Sequence, residues 1–179
     1  AIAEVPSIAP GLDTYINNAM SSLATTIGSN GTGNSTSSPL KFVMLVTDGL
    51  QSDRSNNWSC SYWANDPNWG NYNTCYGGFA APMNTANCTT MKNHGIVLAV
   101  LETPYVPLDG QDPNVQPYEK TVRHVIYPGG SGTASAVSAA LSACATPGYY
   151  FQASHSSDIS SGFITLTDKF LSQMSFISK

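Results

Sequence analysis

The chain has 179 residues, enough for one domain with a substantial core, and only 10% of them are charged. Seven Lys and Arg stand against eleven Asp and Glu, a net charge of −4 with no basic patch, which argues against a nucleic-acid partner. No apolar run approaches ~18 residues, so no membrane span is expected, and Ala1-Ile2-Ala3-Glu4 lacks the basic start and apolar core of a signal peptide.

Ala1 to Pro10 reads as irregular. A helix is expected from Asp13 to Ile27: Asp13 or Thr14 can cap it, and Ile16, Met20, Leu23 and Ile27 recur at helical spacing. Gly28 to Ser38 is a loop of Gly, Ser, Asn and Thr. Phe42-Val43-Met44-Leu45-Val46 is a run of consecutive apolar residues, read as a strand buried on both faces of a parallel sheet. It ends in Thr47-Asp48-Gly49, which brings a hydroxyl and a carboxylate to the carboxyl end of the strand, where open α/β sheets bind ligands. The bland alternative for Asp48 is a turn or capping residue.

Residues 51–82 form a long insertion, read as an ordered loop because it is rich in aromatic residues. Trp58, Tyr62, Trp63, Trp69 and Tyr72 suit either a satellite core under that loop or a recognition surface for a protein or glycan. A helix is expected from Asn84 to His94, closed by Gly95, and Ile96 to Leu101 reads as a second wholly apolar strand. Two such strands joined through a helix make a parallel βαβ unit with a right-handed crossover. Thr103 to Tyr127 is a second long loop bearing prolines, and a helix of small residues follows, ending near Cys144. Tyr149 to Phe151 is a short third strand. Ser157 or Asp158 caps a last helix whose apolar face is Ile159, Phe163, Leu166, Phe170 and Leu171.

The four cysteines, Cys60, Cys75, Cys88 and Cys144, show no metal-binding spacing and read as two disulfides. Of the three connectivities, 60–75 with 88–144 is favoured, the first closing a loop and the second joining two helices. Disulfides, with few charges and many Ser, Thr and Asn, point to an extracytoplasmic setting. Catalytic motifs are weak. Gly129-Gly130-Ser131-Gly132-Thr133 is neither a nucleophile elbow nor a phosphate loop, and His94, His124 and His155 are scattered. Asn30, Asn34, Asn57 and Asn87 head Asn-x-Ser/Thr sequons, which arise readily in so polar a chain.

The order helix, strand, helix, strand, helix, strand, helix is the latter part of a doubly wound domain, and here the chain resembles a known family. Lys41 to Gly49 (KFVMLVTDG), Cys88-x-x-x-Lys92-x-x-Gly95 leading into Val97 to Leu108, and Cys144 to Phe151 (CATPGYYF) are similar to the von Willebrand factor A-type domain of TadG (TadE/TadG-like) proteins of bacterial Tad pilus systems. The resemblance covers most of residues 10–175 and independently favours the Cys88–Cys144 pairing. It implies an α/β, doubly wound, mostly parallel sheet with flanking helices, in a single domain over 1–179 that forms its C-terminal portion. It also implies a divalent-cation site for Mg2+ or Ca2+ at the sheet's carboxyl edge. Asp48 matches the third-loop Asp of that site and Thr14 the second-loop Thr, with Asp13 an alternative ligand; Asp53 more simply caps its loop. The family's Asp-x-Ser-x-Ser loop occurs nowhere in the sequence, and its first strands have no counterpart.

The expectation is therefore a non-catalytic binding or assembly module of a pilus or adhesion system in the periplasm or at the cell surface. Its partner would be a pilus component or an N-terminal part of the same protein, with any anchor upstream. The alternatives are a secreted hydrolase using Asp48 and a His in the same crevice, or a purely structural pilus subunit with a vestigial metal site.

Overall fold

The computed structural model describes residues 15–28, 31–33, 35, 37–51, 59–66, 70–76, 81–105 and 136–177. Three strands form the main sheet: β1 (Phe42–Thr47), β6 (Val97–Glu102) and β7 (Tyr150–Gln152). They lie in the order β1-β6-β7 and all pairs are parallel, as wholly apolar strands separated by helices require. The architecture is α/β with a small parallel sheet and flanking helices. Among the described residues the helices are α1 (Ile16–Ile27), α2 (Ala86–Asn93), α3 (Ala136–Cys144) and α4 (Ser156–Ile177). No helix among the described residues is long and apolar enough to cross a membrane.

Side chains alternate across the sheet, so the register divides the core in two. Leu98 and Val100 of β6 face α1, α2 and α3 and pack with Met20, Met91, Val137 and Leu141. Val97, Ala99 and Leu101 face α4 and pack with Tyr149 and Leu166. Every residue of β6 is buried because the strand is central and covered on both faces. β1 departs from expectation: it is an edge strand among the described residues, only half-buried, and Val46 is exposed. The periodicity of an apolar run shows that both faces are greasy, not that a neighbour stands on both sides.

Helix termini account for the remaining differences in detail. α1 starts at Ile16 after Tyr15, which takes the N-cap position and supplies no side-chain cap; Asp13 and Thr14, the expected caps, lie outside the described residues. The orphan amide of Asn17 is met instead by Gln51 Oε1 at 3.0 Å, which explains why Gln51 is buried. α2 ends as Gly95 predicted. Gly95 takes φ 76°, its amide donates to Lys92 O at 2.9 Å, and the Ile96 amide donates to Met91 O at 3.1 Å. Ile96 and Met91 are both buried, completing the hydrophobic contact that accompanies such an end. Asp158 does not occupy the cap position of α4. It sits in the first turn and its Oδ2 accepts the His155 amide at 2.9 Å, the returning half of a capping box. Ile159, Phe163 and Leu171, expected in the apolar face of α4, are largely exposed, and Leu166 is the residue that is fully buried.

The insertion at 51–82 is not simply a loop. It contains an antiparallel hairpin, β3 (Ser59–Asp66) and β4 (Gly70–Tyr76), between two short strands, β2 (Leu50–Gln51) and β5 (Ala81–Pro82), which pair with each other. Cys60 lies directly opposite Cys75 in the hairpin, the register that the 60–75 pairing requires. Cys88 and Cys144 form the expected disulfide.

Candidate functional site at the carboxyl edge of the sheet

Thr47, Glu102 and Gln152 are in register across β1, β6 and β7, and each is the last residue of its strand. They share the face covered by α3. The carboxyl edge therefore ends in a polar row above an otherwise apolar sheet.

Glu102 is the centre of this row and is 1% exposed. Burying a carboxylate is costly unless its oxygens are hydrogen-bonded. Here the Ser138 hydroxyl of α3 donates to Glu102 Oε1 at 2.6 Å, and the Tyr150 hydroxyl of β7 donates to Oε2. Gln152 Nε2 donates to Ser138 Oγ at 3.4 Å, extending the network to the exposed rim. Burial and then the neighbouring Glu102 carboxylate push the Tyr150 hydroxyl well above the ordinary phenol range, so it stays a donor. One carboxylate thus bridges α3 to β7 from the end of β6.

Asp48 lies one residue beyond the row and is half-buried. Its Oδ1 accepts the Leu50 amide at 3.1 Å, while Thr47 Oγ1 accepts the Gly49 amide at 2.9 Å. These short-range bonds fold Thr47-Asp48-Gly49 into a tight turn. Gly49 holds φ 77°, and a Cβ there would come within 2.4 Å of Val137 Cγ1 and 2.6 Å of Leu141 Cδ1. α3 consequently packs onto the turn itself. Burial raises the Asp48 carboxyl above the usual carboxylate range, only partly offset by the Leu50 amide. Among the described residues it has no ion-pair partner.

The three lysines among the described residues are engaged elsewhere. Lys41 Nζ donates to Ile27 O at 2.5 Å, Lys92 Nζ to Ala143 O at 2.5 Å, and Lys169 Nζ to Gly148 O at 2.7 Å. Each cation caps the carbonyl end of a helix or turn.

Asp13, Thr14 and Asp53 lie outside the described residues, as do Trp58, Trp69 and His124. Tyr62, Trp63 and Tyr72 fall in the hairpin, with Trp63 opposite Tyr72. His94 precedes β6 and so belongs to the amino edge, away from Asp48. His155 follows β7 at the carboxyl edge, but its Nδ1 is 3.3 Å from Asp158 Oδ2, in the start of α4. Glu102 is the residue that sequence reasoning did not single out. Its signal was present: a lone carboxylate closing a wholly apolar strand must be either solvated or specifically held.

No group of three or more His, Cys, Asp or Glu side chains among the described residues is arranged to hold a metal ion. Both oxygens of Glu102 are engaged, leaving Asp48 and the Thr47 hydroxyl as donors beside the turn. That pair is short of the oxygen set that Mg2+ or Ca2+ takes. Comparison with family models, curated proteins and solved structures returned no match.

Proposed function

We propose that the chain is a non-catalytic binding or assembly module that works outside the cytoplasm, in a pilus or adhesion system of the kind its motifs resemble. The observation that carries this reading is Asp48: a half-buried carboxylate at the ligand edge of a parallel sheet, with raised pKa and no countercharge among the described residues. Such a group gains stability when a cationic group from a partner approaches it. The rest of the edge fits a scaffold better than a reacting centre. Glu102 is sealed by two hydroxyls and Thr47 is engaged by the turn, so neither is poised to transfer a proton to a substrate. The cation-dependent form of this contact, with Mg2+ or Ca2+, requires Thr14 or Asp13 to join Asp48.

The test is the pH and ligand dependence of stability in wild type and Asp48→Asn, which keeps the acceptor for the Leu50 amide. A folded pKa raised above its unfolded value gives a stabilising contribution that is complete below pH ~3.9 and disappears as pH rises through the folded pKa. Asp48→Asn should therefore be more stable than wild type at pH 7 and equal to it at pH 3. Mg2+, Ca2+ or a cationic partner should raise the melting temperature of wild type and leave Asp48→Asn unmoved. A wild type already more stable than Asp48→Asn at pH 7 without any addition would show that the carboxylate is satisfied internally, and the reading would fall.

A further inference from the structure

The Cys88–Cys144 disulfide is buried in the core. Cys88 is 0% and Cys144 1% exposed, and both belong to the cluster that Met20, Met91, Leu98 and Leu141 build between the sheet and its helices. Thiol–disulfide exchange needs a thiolate to reach one of the two sulfurs. No thiolate can do so while both residues are packed. The bond is therefore chemically closed in the native fold, and exchange waits for a local movement that uncovers it.

The bonds around it show which movement is smallest. Cys144 is the last residue of α3, so the sulfurs are uncovered when residues 143–146 turn away from α2. Two sets of hydrogen bonds resist that turn. Lys92 Nζ donates to Ala143 O at 2.5 Å and to Ala145 O at 3.2 Å, gripping the backbone on both sides of Cys144. Thr146 exchanges a second pair with Leu98, at 2.8 and 2.9 Å. The two sets differ in depth. Leu98 is buried on the central strand, whereas Lys92 is half-buried and Ala143 is exposed. Water can take over the bonds of the lysine first, because it already reaches that side of the joint. Cys88 and Lys92 are one helical turn apart, so the grip and the disulfide fasten the same two segments at adjacent levels.

We infer that the joint between α2 and α3 is a gate on the redox state of the domain, with Lys92 as its latch. The bond is made by thiol–disulfide exchange before α3 is seated on α2. Once α3 is seated, the domain carries its oxidised state into surroundings that would reduce an exposed disulfide. When the gate opens, a thiolate of a dithiol attacks one cystine sulfur, forming a mixed disulfide and releasing the other cysteine as a thiolate. The second thiolate of the dithiol then attacks its own sulfur in the mixed disulfide and releases the remaining cysteine. Two electrons pass from the dithiol to the cystine, and the two protons of the dithiol end on Cys88 and Cys144. None of this depends on the reading of Asp48 given above.

The test is the rate at which dithiothreitol reduces this bond in the folded whole chain, read by alkylation and peptide mapping of Cys88 and Cys144. Reduction should be at least ~100-fold slower than in the chain unfolded in urea. Lys92→Met should speed it about tenfold through the loss of hydrogen bonds to two carbonyls. Lys92→Arg should restore the wild-type rate, since a guanidinium can serve both carbonyls. Leu166→Ala, or Leu166→Val if the alanine variant does not fold, weakens the core on the opposite face of the sheet. It should lower the melting temperature and leave the rate unchanged while circular dichroism shows the fold intact. Reduction of the folded chain as fast as in urea would show that the sulfurs are reached without opening. An unchanged rate in Lys92→Met would show that Lys92 is not the latch. Acceleration by the Leu166 variant as large as that by Lys92→Met would show that exchange goes through global unfolding. Any one of these three outcomes overturns the inference.

Discussion

Tyr149 is the side chain whose chemistry is least well served. It is 1% exposed, and among the described residues its hydroxyl has no hydrogen-bond partner. Its ring contributes an edge to Phe42 at 6.4 Å and a face to Lys169 Nζ at 4.8 Å, so the aromatic body is well used while the oxygen is not. An unpaired buried hydroxyl costs ~1–3 kcal/mol relative to its absence. Tyr149→Phe keeps the ring contacts and should raise unfolding free energy by about 1 kcal/mol in urea titration; a loss of stability would mean the hydroxyl is hydrogen-bonded in solution. The opposite situation holds at Tyr150, one residue on, whose hydroxyl secures Glu102. Nothing local in Tyr149-Tyr150 distinguishes the two. Alternation sends them to opposite faces of the sheet, and only the register with β6 shows which one meets a carboxylate. Asp48 was legible because Thr-Asp-Gly after an apolar run has a positional meaning. The Glu102 network was not, because Ser138 comes from a helix 36 positions away in the chain.

At the scale of elements, the contact that positions the candidate site is α3 against the turn after β1. Gly49 is required twice over, by a left-handed backbone and by Val137 and Leu141 lying where a Cβ would go. Gly49→Ala should cost about 3 kcal/mol, combining ~1–2 kcal/mol of backbone strain with ~1–3 kcal/mol of overpacking. The same change should loosen α3, and amide exchange across Ala136–Cys144 is the measurement that separates this from a uniform loss of stability. Uniform acceleration over all elements would contradict the assigned contact. The order and type of the main elements were readable from the apolar runs and from Gly95, Pro147 and Gly148, all of which carry local chemistry. The β3–β4 hairpin was not readable, since its strands mix Asn, Ser and Gly with aromatics and show no clean alternation. The place of β1 at the edge of the sheet among the described residues was likewise hidden, because sheet order depends on which strands meet and not on the composition of one of them.

The whole molecule turns on a joint between α2 and α3. Cys88 and Lys92 lie one turn apart on α2, and both engage the end of α3. Cys88 bonds Cys144, and Lys92 Nζ donates to the carbonyls of Ala143 and Ala145 at 2.5 and 3.2 Å. The Thr146 amide donates to Leu98 O at 2.8 Å and Thr146 Oγ1 accepts the Leu98 amide at 2.9 Å, tying the same segment to the central strand. α3, β6 and β7 are thereby fixed relative to α2, and Glu102 sits at the far end of that fixed unit. The disulfide joins residues 56 positions apart, for which loop-closure entropy of the unfolded chain corresponds to about 4 kcal/mol. Cys88→Ala with Cys144→Ala should lower the melting temperature by roughly 10 °C, at ~2–4 °C per kcal/mol for a chain of this size. Lys92→Met removes hydrogen bonds to two carbonyls and should cost less, about 1–2 kcal/mol. Because both act on one joint, the triple variant should lose more than the sum of the separate changes, since without the covalent link the Lys92 hydrogen bonds carry more of the load on the apolar packing between the two helices. Strict additivity in denaturant titrations of the three variants would show that the disulfide and the lysine act independently, and that the joint is not the unit that fixes the carboxyl edge.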